Sequence, residues 1–176
     1  MKNNIFVDLD ETLIHTFNST SLGSAPWGDE MDRMPWHMPG EVKEITLEDG
    51  IYSTVLREGA HTFLKLLRQK GNVFMLTAAA KDYALAMNEA FGFNFNPKGI
   101  LSREDVQEGG IKLRGFEPGN TYLFDNLPAR ENHSKIAFLR PLGKVNYVAV
   151  PEFNGEQERY FTEEVITYLL SNIVDS

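Results

Sequence analysis

The feature that most constrains the fold is an apolar run near the start of the chain that ends in acidic residues. Ile5, Phe6 and Val7 favour a β-strand, and Asp8 follows them directly, with Asp10 two positions later. Strands buried on both faces of a parallel sheet read as continuous apolar runs, and ligands of open α/β sheets bind beyond the carboxyl ends of the strands. The run therefore predicts a buried strand that brings two carboxylates to the edge of a sheet.

Further along the chain, strand-like runs alternate with helix-like segments. The apolar patterns predict strands at 72–76, 100–101, 121–124 and 144–150, and helices at 59–69, 79–91 and 156–174. Such alternation is typical of a parallel sheet with helices on both faces, joined by right-handed crossovers. We expect one α/β domain over residues 1–176, with a three-layer Rossmann-like parallel sheet flanked by helices and no large cap domain.

Residues 17–56 interrupt this alternation and are predicted to form a flap between the first strand and the first helix. The first part of the flap is rich in Gly, Pro and Ser, and loops of this length are uncommon unless they serve as a lid or a binding loop. The pair Asp49-Gly50 lies between two β-favouring runs and predicts a β-hairpin. The aromatic residues of the flap that matter here are Phe17, Trp27, Trp36 and Tyr52. Two interpretations stay open for them: they form a wall that selects the substrate, or they form a small satellite core.

Composition narrows the possible classes of function. The formal net charge is −8, which argues against non-specific binding to nucleic acids. The chain has no cysteine, so thiolate catalysis, disulfides and cysteine-based metal sites are excluded. No apolar run approaches the ~20 residues needed to span a bilayer, and the first strand begins too early to leave room for a signal peptide. We therefore expect a soluble, cytoplasmic protein that does not contact membranes; its oligomeric state stays open.

Polar side chains follow three of the predicted strands, in chain order Asp8, Asp10, Thr12, Thr77, Asp125 and Asn126. Because the carboxyl ends of parallel strands meet at one edge of a sheet, we expect these side chains to lie together. Ligands that are all oxygen suit Mg²⁺, which proteins hold with one or two carboxylates plus substrate phosphate and water. One carboxylate can then attack phosphorus as a nucleophile, and a second can act as general acid and base.

The same residues carry a resemblance to a known family. Asp8-Leu9-Asp10-Glu11-Thr12 resembles the first motif of the haloacid dehalogenase (HAD) superfamily of aspartate-nucleophile phosphatases. Within it, the chain is most similar to the branch of RNA-polymerase C-terminal-domain phosphatases and their NLI-interacting-factor relatives. Further motifs of that branch are matched in the same order by Leu56-Arg57-Glu58-Gly59, Leu76-Thr77-Ala78 and Phe124-Asp125-Asn126. The chain departs from the family pattern at Glu58 and at Leu127-Pro128, and neither change removes a catalytic group.

The resemblance implies a role for each candidate residue. Asp8 would be the nucleophile and Asp10 the general acid and base. Phosphate would be bound by Thr12, Thr77 and Ala78, and Mg²⁺ by Asp8, the Asp10 backbone carbonyl, Asp125 and Asn126. The family also has a catalytic lysine that binds phosphate. By its position before the strand at 121–124 this lysine is expected to be Lys112, with Lys98 and Arg114 as alternatives.

Several of these residues also have a plainer interpretation. Asp8 and Asp10 are typical turn residues, Thr77 is a typical helix N-cap, and a lysine such as Lys112 is usually solvated. For the function, we expect a Mg²⁺-dependent phosphomonoesterase acting on phosphoserine or phosphothreonine of a protein. The alternatives are a phosphatase of nucleic-acid 3′-ends or nucleotides, and a non-catalytic phosphate-binding or scaffold module.

Overall fold

The structure, a computed structural model, describes residues 2–20, 41–156 and 159–175. Its strands are β1 (Asn3–Val7), β2 (Ile14–Thr20), β3 (Val42–Leu47), β4 (Gly50–Leu56), β5 (Asn72–Leu76), β6 (Ile100–Leu101), β7 (Asn120–Asp125) and β8 (Val145–Ala149). The central sheet has the order β6-β5-β1-β7-β8, and all of its pairings are parallel. β1 therefore lies at the centre, between β5 and β7.

The helices are α1 (Ala60–Lys70), α2 (Lys81–Phe91), α3 (Arg103–Glu108), α4 (His133–Leu139) and α5 (Glu163–Leu170). Side chains of the central strands alternate between two hydrophobic clusters, as the pleat of a strand requires. In β1, Ile5 and Val7 pack into the cluster formed with α1, α2 and α5, whereas Phe6 packs into the cluster that contains residues of α4. The predicted three-layer arrangement, with helices on both faces of a parallel sheet, is confirmed.

A second, antiparallel sheet with the order β2-β4-β3 follows the first strand. The hairpin predicted around Asp49-Gly50 joins β3 to β4, as expected. β2 was not predicted, and it begins at Ile14, before the expected start of the flap. Phe17 is buried with Val55 and Phe153 in a small cluster of its own, which supports the satellite-core interpretation for this residue. Trp27 and Trp36 lie outside the described residues.

Most element boundaries agree with the sequence patterns, and the differences have local causes. The terminal helix begins later than predicted, because the Thr162 hydroxyl accepts a hydrogen bond from Val165 N at 3.2 Å and caps the first turn of α5. It also ends earlier than predicted, at Leu170. α3 and α4 were not predicted because each is only a few residues long and gives little hydrophobic periodicity. In the part of the chain that the structure describes, no helix is long and apolar enough to cross a membrane.

Candidate active site

Asp8 is the first residue after β1, and the sheet register places it beside Asp125. Val7 pairs with Phe124 of β7, so the next residue on each strand is an acid. The Asp8 amide donates to the Phe124 carbonyl at 2.9 Å, which holds the backbone of Asp8 at the end of the sheet. Asp8 is 6% exposed and Asp125 is fully buried. Two buried carboxylates on neighbouring strands need a cation nearby, because burial of an uncompensated charge is costly.

Lys135 of α4 supplies that cation. Its Nζ donates to Asp8 Oδ1 at 2.9 Å and to Asp125 Oδ2 at 2.6 Å. The ammonium group thus joins carboxylates at the carboxyl ends of two neighbouring strands. Lys135 is itself buried, so water screens these ion pairs only weakly.

The turn after Asp8 is tight and is anchored by backbone hydrogen bonds. Leu13 N donates to the Leu9 carbonyl at 2.9 Å, and Glu11 adopts a left-handed conformation with a φ of 63°. Within this turn, the Thr12 hydroxyl lies 3.3 Å from Asp8 Oδ2. The buried Arg57 guanidinium donates to the Thr12 carbonyl at 3.1 Å. The turn therefore holds a hydroxyl beside the candidate nucleophile.

Asp10 points its carboxylate toward a chain of hydroxyl groups. The Tyr83 hydroxyl donates to Asp10 Oδ1 at 2.7 Å. The Tyr83 hydroxyl oxygen also lies 2.7 Å from Thr16 Oγ1. Thr16 Oγ1 in turn lies 2.9 Å from Thr54 Oγ1. Because Tyr83 donates its proton to Asp10, the Thr16 hydroxyl must donate to Tyr83. This chain links the candidate acid and base to α2 and to the antiparallel sheet.

Thr77 and Ala78 follow β5, the other neighbour of β1. Val7 pairs with Met75, so Thr77 lies near the level of Asp8 along the sheet. The Thr77 hydroxyl accepts from Ala79 N at 3.1 Å and does not cap α2, whose N-cap is Ala80. Ala78 is exposed, as a residue in contact with substrate would need to be. Thr77 and Ala78 therefore lie at the same edge of the sheet as the acidic pair.

Asn126 completes a set of oxygen atoms that fits a hard cation. Its side-chain amide lies 2.9 Å from Asp8 Oδ2 and 3.3 Å from the Asp10 carbonyl. With the amide oxygen turned inward, three acceptors face one another, an arrangement that a cation would satisfy; with the nitrogen inward, the amide donates to both. The described residues contain no group of three or more carboxylate, histidine or cysteine side chains that could hold a metal. A Mg²⁺ site here would therefore use the amide and carbonyl oxygens beside its carboxylates, which suits Mg²⁺.

The environment shifts the protonation of both candidate catalytic acids. Burial raises the pKa of Asp8 to about 7, although Lys135 acts in the opposite direction. Burial also raises the pKa of Asp10, and the hydrogen bond from Tyr83 opposes that rise. Burial disfavours the charged form of Lys135, but Asp8 and Asp125 together raise its pKa above the usual value. A carboxyl group with a raised pKa is well suited to donate a proton as a general acid.

The expectation for Lys112 needs correction. Its ammonium group lies 3.2 Å from Glu108 Oε2 and 3.8 Å from Asp105 Oδ1, and both of these carboxylates lie outside the acidic pair of Asp8 and Asp125. Lys112 belongs to a short 3₁₀ segment before β7, and this segment packs on the α4 face of the sheet through Leu113. The structure places Lys135 where Lys112 was expected.

One sequence signal could have identified Lys135. It occupies a helical stripe with Phe138, Leu139 and Leu142, all of which are buried. A lysine in an otherwise apolar stripe is rarely buried without a partner. The motif order predicts the lysine before the strand at 121–124, whereas Lys135 follows that strand.

Together, these features define the class of the protein: a HAD-type phosphatase fold, with an aspartate pair after the central strand and a lysine and a third acidic residue beside it. The chain belongs to the NLI interacting factor-like phosphatase family, whose sequence profile matches residues 4–135. The resemblance found in the motifs is therefore confirmed. Among curated proteins, no sequence matches the chain.

Solved structures share this fold. Fission yeast RNA polymerase II CTD phosphatase Fcp1 bound to beryllium fluoride is 17% identical, with a TM-score of 0.55 over 97% of this chain and 49% of that chain. A second Fcp1 structure, an essential RNA polymerase II CTD phosphatase, is 18% identical, with a TM-score of 0.59 over 94% of this chain and 48% of that chain. The HAD domain of effector protein Lem4 from Legionella pneumophila is 16% identical, with a TM-score of 0.50 over 98% and 95%. At these identities the likeness shows the fold alone, and the chain spans about half the length of the Fcp1 chains.

Proposed function

We propose that the chain is a Mg²⁺-dependent phosphomonoesterase that works through an aspartyl-phosphate intermediate. The observation that carries the proposal is the position of Asp8 at the end of the central strand, with Lys135 Nζ at 2.9 Å from one carboxylate oxygen. Family membership supports the reaction class. Asp10 adds the second carboxylate that the reaction needs, and the Tyr83 hydroxyl holds this carboxylate through a hydrogen bond of 2.7 Å.

In the first step, a carboxylate oxygen of Asp8 attacks phosphorus. The bond from phosphorus to the leaving alcohol breaks, and Asp10 gives its proton to the departing oxygen. The raised pKa of Asp10 favours the protonated form that this step requires. Lys135 offsets negative charge on Asp8 and on the phosphoryl oxygens, which otherwise repel each other.

In the second step, Asp10 is a carboxylate and accepts a proton from water. The water oxygen attacks the phosphorus of the aspartyl-phosphate, releases phosphate and restores Asp8. We assign the binding of the phosphoryl oxygens to Thr12, Thr77 and Ala78. Asp8, Asp125, Asn126 and the Asp10 carbonyl would hold Mg²⁺, which when bound supplies positive charge that stabilises the ionised carboxylates and the phosphoryl group.

The test replaces the nucleophile. Asp8→Asn keeps the size of the side chain but removes the attacking oxygen, so release of phosphate from an aryl phosphate should fall by at least about 10³-fold. Asp175→Asn makes the same chemical change at a side chain that is 81% exposed and paired with Lys70, and it should retain full activity. Circular dichroism establishes that both variants are folded. Turnover like that of the unmodified chain in folded Asp8→Asn would exclude the mechanism.

For the substrate, we propose phosphoserine or phosphothreonine displayed on a protein. Two structural relatives are RNA polymerase II CTD phosphatases, which supports this class. The net charge of −8 disfavours a nucleic-acid substrate that is recognised through its backbone. Phosphopeptides, 3′-phosphorylated oligonucleotides and nucleotides should be compared by kcat/KM. A preference for an oligonucleotide or a nucleotide would overturn the substrate class but leave the mechanism standing.

A further inference from the structure

A cavity of about 680 Å³ lies away from the candidate active site, between β5 and the loop that precedes β7. Its lining includes Asn72 and Phe74 of β5 and Gly115 and Phe116 of the loop. None of the residues to which the proposed function assigns catalysis, phosphate or Mg²⁺ lines it. The volume falls within the usual range of small-molecule sites, roughly 300–1,000 Å³.

The short length of β6 accounts for this cavity. β6 pairs only with Met75 and Leu76, so the first half of β5 has no strand of the central sheet on its outer side. The loop at 115–117 closes over that gap. The carboxyl ends of the same strands carry the candidate active site, so the two sites lie toward opposite ends of β5.

Aromatic rings form one wall of the cavity. Phe74 and Phe116 meet edge to face with ring centroids 4.7 Å apart, and both are only partly buried. Phe6 packs behind Phe74, at 5.2 Å between centroids. A ligand ring placed beside this pair would gain the edge-to-face or offset contacts that aromatic groups favour.

The rim of the cavity is cationic in a protein of net charge −8. Four lysines line it, and two of them are paired: Lys81 with Asp105 at 2.6 Å, and Lys112 with Glu108 at 3.2 Å. The other two, Lys2 and Lys98, have no carboxylate within 4.0 Å among the described residues. The acidic residues that line the cavity are Asp105, which is already paired, and Glu117. Two ammonium groups that no described carboxylate pairs, in a cavity that also has aromatic rings in its lining, favour an anion that carries a ring.

We propose that this cavity is a binding site for a small aromatic phosphate of the nucleoside monophosphate type. Its ring lies against Phe74 and Phe116, and its phosphate pairs with Lys98 and Lys2. The site is separate from the proposed phosphatase reaction and does not rest on it. A phosphate dianion suits the two ammonium groups, and charge-assisted hydrogen bonds of this kind are stronger than neutral ones.

The experiment uses the full chain and a phosphonate analogue of adenosine monophosphate that cannot be hydrolysed. Binding is measured by calorimetry and located by amide shifts in NMR spectra. We expect shifts at residues 72–74, 96–101 and 115–117. The double substitution Lys2→Glu with Lys98→Glu should raise Kd by at least about tenfold through lost charge-assisted hydrogen bonds. Lys65→Glu, the same change at an exposed lysine of α1 outside the cavity, should change Kd by less than about twofold.

A second variant tests the cavity itself. Gly115 lines the cavity, and a Cβ there would meet no atom within 4 Å, so Gly115→Trp can be accommodated. We expect its indole to occupy space beside Phe116 that the ligand would need and to abolish binding. Three results would overturn the proposal: shifts confined to residues 8–12, 77–78 and 125–126, no binding at millimolar analogue, or equal Kd values for the lysine variant and the unmodified chain. Inorganic phosphate or ribose 5-phosphate binding as tightly as the analogue would overturn the aromatic half of the proposal.

Discussion

Lys135 is the residue on which the charge balance of the site depends. It contacts both Asp8 and Asp125, and all three side chains are buried. Breaking a buried ion pair by removing one partner typically costs about 3–5 kcal/mol, because the remaining charge is left without compensation. Lys135 therefore contributes to the fold as well as to the proposed chemistry.

Substitution of Lys135 tests both contributions. In Lys135→Met the two carboxylates face each other without a cation, so we expect unfolding free energy to fall by about 3 kcal/mol and kcat to fall by at least about 10²-fold. Urea unfolding and hydrolysis of an aryl phosphate measure these effects. Lys112→Met is the matched control, since Lys112 contacts exposed Glu108 at the rim of the cavity, and its kcat should not change. Loss of activity in Lys112→Met but not in Lys135→Met would reverse the assignment.

At the scale of elements, Tyr83 connects α2 to the candidate acid and base. Tyr83→Phe removes the hydroxyl that donates to Asp10 Oδ1 at 2.7 Å. Because this hydrogen bond opposes the raised pKa of Asp10, its loss should move the pKa higher. Because the first step requires protonated Asp10, the pH at which kcat is half-maximal on the basic side should then increase. The value of kcat should fall about tenfold, as expected for the loss of a hydrogen bond to a charged group.

The neighbouring ring provides the control for that variant. Tyr52 packs against Tyr83 with centroids 5.3 Å apart, but its hydroxyl donates to Asp49 on the hairpin. Tyr52→Phe should leave the pH profile of kcat unchanged. An identical shift in both variants would indicate that ring packing, and not the hydrogen bond to Asp10, sets the profile.

Asp105 stabilises the start of α3, and its effect on stability should depend on pH. It accepts from Ser102 N at 2.8 Å and pairs with Lys81 at 2.6 Å. Burial alone would raise the pKa of Asp105, but Lys81 and Ser102 more than offset this and hold it below its usual value. A carboxylate with a lowered pKa in the folded state stabilises above its unfolded pKa of about 3.9, and this stabilisation is lost as pH falls through the folded pKa.

Asp105→Asn should therefore lower the free energy of unfolding by about 1–2 kcal/mol at pH 7. Its deficit relative to the unmodified chain should shrink as the pH falls from the unfolded pKa of about 3.9 through the lowered pKa of Asp105 in the folded state. Urea unfolding at pH 7 and within this acidic range measures both. Asp175→Asn, which removes an exposed ion pair with Lys70, should show almost no deficit at either pH. A deficit in Asp105→Asn that does not change with pH would contradict the role of its charge.

The elements that the sequence predicted well are those with a strong local pattern. Strands 72–76 and 100–101 were predicted at the observed boundaries, since apolar runs bounded by turn residues are local signals. β2 was missed because Ile14–Thr20 mixes polar and apolar residues and becomes a strand only by pairing with β4. Lys135 was missed for a similar reason: which lysine meets Asp8 depends on how α4 packs on the sheet.

At the scale of the whole molecule, Arg57 ties distant segments together around the site. The guanidinium is 1% exposed and donates to the carbonyls of Thr12 at 3.1 Å, Pro151 at 2.7 Å and Arg159 at 2.6 Å. It also lies 4.0 Å from the centroid of the Phe161 ring. Next to it, Gly59 has a φ of 88°, and a Cβ there would lie 2.5 Å from the Phe161 carbonyl. The segment from Arg57 to Gly59 therefore joins the turn after Asp8 to the C-terminal part of the chain.

Arg57→Met should lower the free energy of unfolding by about 3 kcal/mol, because three carbonyls lose a buried donor. Arg57→Lys should recover only part of this loss, since an ammonium group cannot reproduce the planar fork of the guanidinium. Thermal unfolding measures both variants. Arg140→Met, at an exposed arginine, should stay within about 0.5 kcal/mol of the unmodified chain. Full recovery in Arg57→Lys would contradict the importance of the fork.

The internal cation described above bears on how folding relates to the proposed metal. Many metal centres gather like charges that only the ion can neutralise, so folding waits for the metal. Here Lys135 already pairs with two of the buried acids, at 2.9 Å from Asp8 and 2.6 Å from Asp125. We therefore expect newly made chains to fold without Mg²⁺ and, under the proposed mechanism, to become active only once Mg²⁺ binds. Folding and activation would then be separate events in this molecule.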